Sequence, residues 1–209
     1  MARPASDIAE RVVVAARARF LAEGVAGASL RAIARDAGTN LGMVYYYFST
    51  KDALFMAVVE EVYAKLLDDL ARVLAAAGPN LERQVRALYG RLAELSELEV
   101  DVLGLVLREA LGSSSRAAGL FARFARGHIP LLVSVFTQAQ ARDEARRELP
   151  PLVLVIGTLA AGILPQLLRR RLETAEVPVS DLLPGPKELA DLLSKLVLNG
   201  MSKSVDKRW

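Results

Sequence analysis

At 209 residues and 53% hydrophobic side chains, the chain can bury a sizeable core and is too apolar to be disordered. It has no cysteine and a single histidine, His128, which excludes disulfides, thiolate metal sites, thiol catalysis and paired-histidine metal sites. The net charge of +3 sits at one end: seven of the 27 Lys/Arg and four of the 24 acids fall within residues 1–51, leaving 20 of each sign beyond.

Taken in chain order, nearly every segment reads as helix and none as strand. Ile8, Val12, Ala15, Ala16 and Phe20 recur at three and four, which predicts an amphipathic helix from Asp7 to Glu23 stopped by Gly24. Arg3, Arg11, Arg17 and Arg19 alternate there with Asp7, Glu10 and Glu23, a pattern unlike the apolar core of a secretory signal. The expected location is cytoplasmic. A second, short helix opens at Ser29 with Leu30, Ile33, Ala34 and Ala37 inward, and Gly38 ends it. Asn40 caps a third short helix reaching Tyr47. Thr50 or Ser49 caps a fourth, in which Leu54, Phe55, Val58, Val62, Leu66 and Leu70 keep the helical period to Ala77.

Later helices are expected over 81–97, 99–111, 116–142, 150–172 and 186–200, about nine in all, with breaks at 112–115 and 177–186. Within 116–142, Phe121, Phe124 and His128 fall on one helical face, and Pro130 is expected to kink that helix beside the histidine. Leu149 to Leu168 is almost free of polar side chains and ends in Arg169-Arg170-Arg171. Pro150, Pro151 and Pro165 leave a clean helix shorter than the ~20 residues a bilayer needs. The expectation is a helix covered by its own domain and by a second copy, with no membrane partner.

Two short helices around a glycine turn, packed on a third, make a helix-turn-helix unit. The stretch Ser29 to Leu54 contains Ile33-Ala34, Ala37-Gly38, Asn40, Gly42, Val44-Tyr45, Phe48 and Lys51-Asp52. At that spacing the residues closely resemble the head of the TetR family of bacterial transcriptional regulators. The resemblance covers residues 7–55 closely and the remainder only as helix number and length. It departs from the family at Val25, Thr39, Leu41 and Tyr47.

The resemblance implies an all-α fold: a three-helix DNA-binding head at 1–51, and a ligand-binding and dimerisation domain at 52–209. It implies a homodimer on a palindromic double-stranded operator, acting as a repressor released by a small-molecule effector. Ser29 would donate to a phosphate and Arg31 would reach a guanine edge. Asn40, Leu41, Gly42 and Met43 would open the reading helix onto the bases, while Tyr45, Tyr46 and Lys51 would hold phosphates. The apolar Leu41 points to a thymine methyl. The effector would lie among Leu66, Leu70, Tyr89, Leu103, Leu107, Phe121, Phe124, His128 and Phe136, which suits an apolar, uncharged or weakly acidic molecule. Helices near 150–172 and 186–200 would pair the two copies.

Other readings remain open at this point. A regulator gated by a protein partner, or not gated, has the same sequence signature, and activation is not separable from repression. A helical enzyme using Asp101 or Glu109 with His128 lacks any nucleophile motif, phosphate loop or dinucleotide fingerprint. No cofactor or metal is expected.

Overall fold

The computed structural model describes residues 5–112, 114–175 and 183–201, so Arg3 and parts of the breaks at 112–115 and 177–186 lie outside the described residues. The helices run α1 (Ala5–Gly27), α2 (Leu30–Asp36), α3 (Leu41–Tyr47), α4 (Lys51–Ala77) and α5 (Leu81–Ala93). They continue as α6 (Glu97–Gly112), α7 (Ser114–Phe124), α8 (His128–Ala141), α9 (Pro151–Thr174) and α10 (Pro186–Met201). No strand occurs among the described residues.

These helices number ten, against the nine expected, because the stretch 116–142 is two helices. α7 stops at Phe124, the chain turns through Ala125, Arg126 and Gly127, and α8 begins at His128. Pro130 is therefore in the first turn of α8, where its missing N–H breaks no helical bond. It starts a helix and does not kink one, and the single face expected to carry Phe121, Phe124 and His128 does not exist. α9 departs from expectation too: Pro151 opens it and Pro165 lies inside it, so it continues unbroken for 24 residues. By length and composition α9 is long and apolar enough to cross a membrane, the one such helix among the described residues.

The chain divides into two compact units, residues 1–65 with 97–123, and residues 66–96 with 124–209. In the first unit, Val12, Ala16 and Phe20 of α1 are sealed from solvent together with Ile33, Val44, Leu54, Phe55 and Val58. The Phe20 and Phe55 rings meet edge to face, centroids 6.4 Å apart. α1 is interrupted at Gly24, whose φ of 76° suits the expected stop, although one more turn follows. Arg108 of α6 donates 2.8 Å to the Phe20 carbonyl, supplying a partner near that interruption.

In the second unit α10 packs on α5 and α9, and α8 on α9. The close approach of α9 to α5 depends on Gly162, since a Cβ there would stand 2.6 Å from Leu92 Cδ1. The buried Tyr89 hydroxyl donates to the Thr158 carbonyl at 3.0 Å, and desolvation pushes its pKa upward.

The start of α5 is capped twice. Asn80 Oδ1 accepts from Arg83 N at 3.0 Å, and Glu144 Oε2 accepts from Leu81 N at 2.8 Å. The Glu144 carboxyl is held below its ordinary 4.5 by Arg142 and by that backbone bond. A depressed carboxylate contributes stability above its unfolded pKa and loses it as pH falls through the folded value. Glu144→Gln is expected to cost about 1 kcal/mol at neutral pH, the usual worth of a cap. Its stability should also decline less than wild type below pH ~4.5. Parallel acid limbs for the two proteins, measured by urea unfolding, would show that the cap is not ionic.

Candidate nucleic-acid interface

The turn between α2 and α3 is built by short-range rules. Ala37 N bonds Ile33 O at 2.9 Å, Gly38 N bonds Arg35 O at 3.0 Å and Thr39 N bonds Ala34 O at 2.9 Å, closing the end of α2. Gly38 carries φ 63°, which L side chains rarely adopt. Arg11 of α1 fixes the turn from below, donating 2.7 Å to the Ala37 carbonyl. Asn40 then caps α3, its Oδ1 accepting from Met43 N at 3.0 Å. Thr50 Oγ1 likewise accepts from Ala53 N at 3.0 Å at the start of α4, which resolves the choice between Ser49 and Thr50.

α3 is seven residues long and anchored by a fully buried Val44. Around that anchor Gly42, Tyr45 and Tyr46 are exposed, Tyr46 at 77%, and Leu41 and Met43 are half-buried on the shoulders. Tyr47 is half-buried and meets the Tyr46 ring edge-on at 5.0 Å. On α2, Ser29 is the exposed N-cap residue and its hydroxyl makes no capping bond. Arg31, two residues on, is exposed as well.

The cations differ in how they are held. Arg17 binds Glu61 at 2.5 Å, and Arg19 binds both Asp36 and Glu23 at 2.6 Å. Lys51 donates to the Ala26 and Ala28 carbonyls at 2.7 and 3.2 Å, closing the link between α1 and α2. Its ammonium keeps one further proton. Arg35 is 3.7 Å from Asp36 and 74% exposed. Arg31 makes no ion pair among the described residues. An exposed guanidinium with no ion pair among the described residues and an exposed hydroxyl at the start of the same helix, with a narrow helix presenting a glycine and two tyrosines, can meet phosphates and base edges.

The residues expected around an effector fall in both units. In the first, Leu103 and Leu107 are half-buried and Phe121 is 60% exposed. In the second, Leu70, Tyr89 and Phe136 are buried, while Leu66, Phe124 and His128 are half-buried. Among them the Phe124 and His128 rings meet at a tilt, centroids 4.9 Å apart. An open groove of about 440 Å³ bordered by Leu81, Arg86, Glu144 and Lys195 contains none of these residues. Sequence reading missed the arginines that tie helices together over long separations: Arg11, Arg108, Arg116 and Arg123. No local pattern marks them.

Residues 6–58 match the family described as bacterial regulatory proteins, tetR family. Residues 6–58 are thus a TetR-family head. The chain is 37% identical over 65 residues to the transcriptional regulator BetI of Stenotrophomonas maltophilia, a match covering 31% of this chain and 33% of BetI. The chain thus spans about a third of the length of that curated relative. Beyond the TetR-family head the likeness is one of fold. The structure of NalD, the secondary repressor of a multidrug efflux pump in Pseudomonas aeruginosa, superimposes with a TM-score of 0.70 at 21% identity. That superposition covers 96% of this chain and all of NalD. SmeT of S. maltophilia in complex with triclosan gives 0.68 at 20% identity, covering 95% of this chain and 93% of SmeT.

Proposed function

We propose that the chain is a cytoplasmic, ligand-responsive repressor that binds a palindromic operator as a homodimer. Residues 1–51 read the DNA, and residues 52–209 take up the effector and the second copy. The observation that carries the reading is the exposure of Ser29, Arg31, Gly42, Tyr45 and Tyr46 on the TetR-family head. Arg31 reaches a guanine, Leu41 and Met43 contact base edges beside Gly42, and Asn40 holds the reading helix at its angle. Ser29, Tyr45, Tyr46 and the remaining proton of Lys51 hold phosphates.

Dimerisation is supported by α9 and α10. Leu152, Val153, Ile156, Leu164 and Leu168 of α9 and Leu192 and Leu196 of α10 are exposed, a set of apolar side chains that a second copy would cover. Sedimentation at micromolar concentration should return twice the chain mass, and a monomer would remove this part of the reading. The effector is a predominantly apolar, uncharged or weakly acidic small molecule. The triclosan complex of SmeT supports the class.

Footprinting on the DNA flanking the chain's own gene, against excess non-specific competitor, tests the reading. A protected, roughly palindromic site is the expected result. Arg31→Ala should weaken binding about 10- to 100-fold, chiefly by relaxing preference at one G·C pair. Thermal stability should be unchanged, because Arg31 holds nothing in the fold. Absence of any protected site, both there and in a genomic-fragment selection, would sink the proposal.

A further inference from the structure

α7 lies along the first three turns of α4 and is bound to it at three levels, all within the first unit. At the lower end, Arg116 Nη1 pairs with Asp52 at 3.1 Å and Arg116 Nε with the buried Glu109 of α6 at 2.6 Å. The Ser115 hydroxyl adds a bond to Asp52 at 3.2 Å. In the middle, Gly119 brings the α7 backbone close to Met56, whose Sδ would be 3.6 Å from a Cβ at that position. At the upper end, Arg123 Nε and Nη2 each bond a different Glu60 oxygen at 2.8 Å. Its guanidinium also stacks 4.3 Å from the centre of the Tyr63 ring.

The spacing makes this a device of one helix face. Arg116, Gly119 and Arg123 are three and four apart on α7, opposite Asp52, Met56 and Glu60, four apart on α4. The residue before Asp52 is Lys51, which closes the α1–α2 link through the Ala26 and Ala28 carbonyls. What fixes the first turns of α4 therefore also fixes the segment from which α2 starts.

We propose that α7 is a strap that sets the pose of the DNA-reading head, with Arg116 and Arg123 as its positioning residues. Neither touches DNA, and the inference rests on the reading of the head as a DNA-binding element. The bidentate Glu60–Arg123 pair carries orientation as well as attraction, because two parallel bonds to one carboxylate resist rotation of α7 about its own axis.

The test uses Arg123→Met, Glu60→Gln and Asp52→Asn in the full chain, together with the exchanged pair Arg123→Glu/Glu60→Arg. Arg116→Met is avoided because it would strand the buried Glu109. Hydrogen exchange is followed over residues 38–48 and 51–63, with α5 and α10 as internal references. Each of the three variants should speed exchange about tenfold over both stretches and leave α5 and α10 unchanged. Affinity for the fragment protected in footprinting should fall about fivefold or more, and the exchanged pair should restore both readouts. Exchange that rises only over 51–63, or rises with operator affinity equal to wild type, assigns the arginines to fold maintenance and overturns the proposal. So does unchanged exchange. The expected exchange pattern in a protein that protects no DNA would refute the regulator reading while upholding the strap.

Discussion

Arg116→Met is expected to lower the unfolding free energy by about 3 kcal/mol, the usual result of breaking a buried ion pair from one side. Glu109 is 6% exposed and Arg116 provides its nearest cation, at 2.6 Å. Without Arg116 that carboxylate keeps only Arg108, 3.6 Å away and half in solvent. The loss comes from the stranded charge more than from the missing contact, so removing the charge should repair it. Arg116→Met/Glu109→Gln is expected to recover more than half of the deficit. The measurement is urea unfolding at fixed protein concentration. A single variant within 0.5 kcal/mol of wild type (roughly the range of neutral surface changes) would mean that water reaches Glu109.

Phe20→Ala is expected to cost more, about 4 kcal/mol, since a fully buried ring leaves a cavity that close-packed neighbours fill only in part. Phe20 is sealed at 0% exposure in a core shared with Val12, Ile33, Val44 and Phe55. DNA binding should fail with it, because Val44 anchors the reading helix on the same core. Phe55→Ala combined with Phe20→Ala should cost less than the sum, by about 1 kcal/mol, the worth of an edge-to-face ring pair. Strict additivity in that cycle would show that the rings act only as bulk.

What could be read from the sequence was what is decided within a few residues. The Gly38 turn, the Asn40 cap and the Thr50 cap are local chemistry, and each occurs where the residue type demands it. The stripe through Val12, Ala16 and Phe20 was legible for the same reason, since helical period and burial follow one rule. Pro130 misled because a proline three residues into a helix and a proline in its interior look alike when the flanking run is apolar. The break at 125–127 contains Gly127 but no second turn signal to mark it. Phe121 reads as an effector-facing residue from its spacing, yet it is exposed, and in α7 the inward positions are taken by Leu120 and the arginines of the strap. Arg11, Arg108, Arg116 and Arg123 reach partners 26, 88, 64 and 63 residues away. No periodicity can announce a contact of that separation. Lys51 shows the middle case: the resemblance assigns it to a phosphate, while the structure adds a role as a tie between α1 and α2.

The way the head's cations are engaged bears on how the protein would respond to ionic strength. Affinity for DNA falls with salt in proportion to the phosphates neutralised, about 0.9 in log K per tenfold change for each. A guanidinium already bound to a carboxylate brings that negative charge with it and displaces few counterions. Arg17 and Arg19 are so bound, and Arg11 and Lys51 are turned toward backbone carbonyls. Among the described residues, Arg31, Arg35 and the still fully charged Lys51 are left as the head's sources of counterion release. Neutral hydroxyls and base edges would then provide most of the attachment, and binding would persist at salt concentrations where strongly basic proteins dissociate.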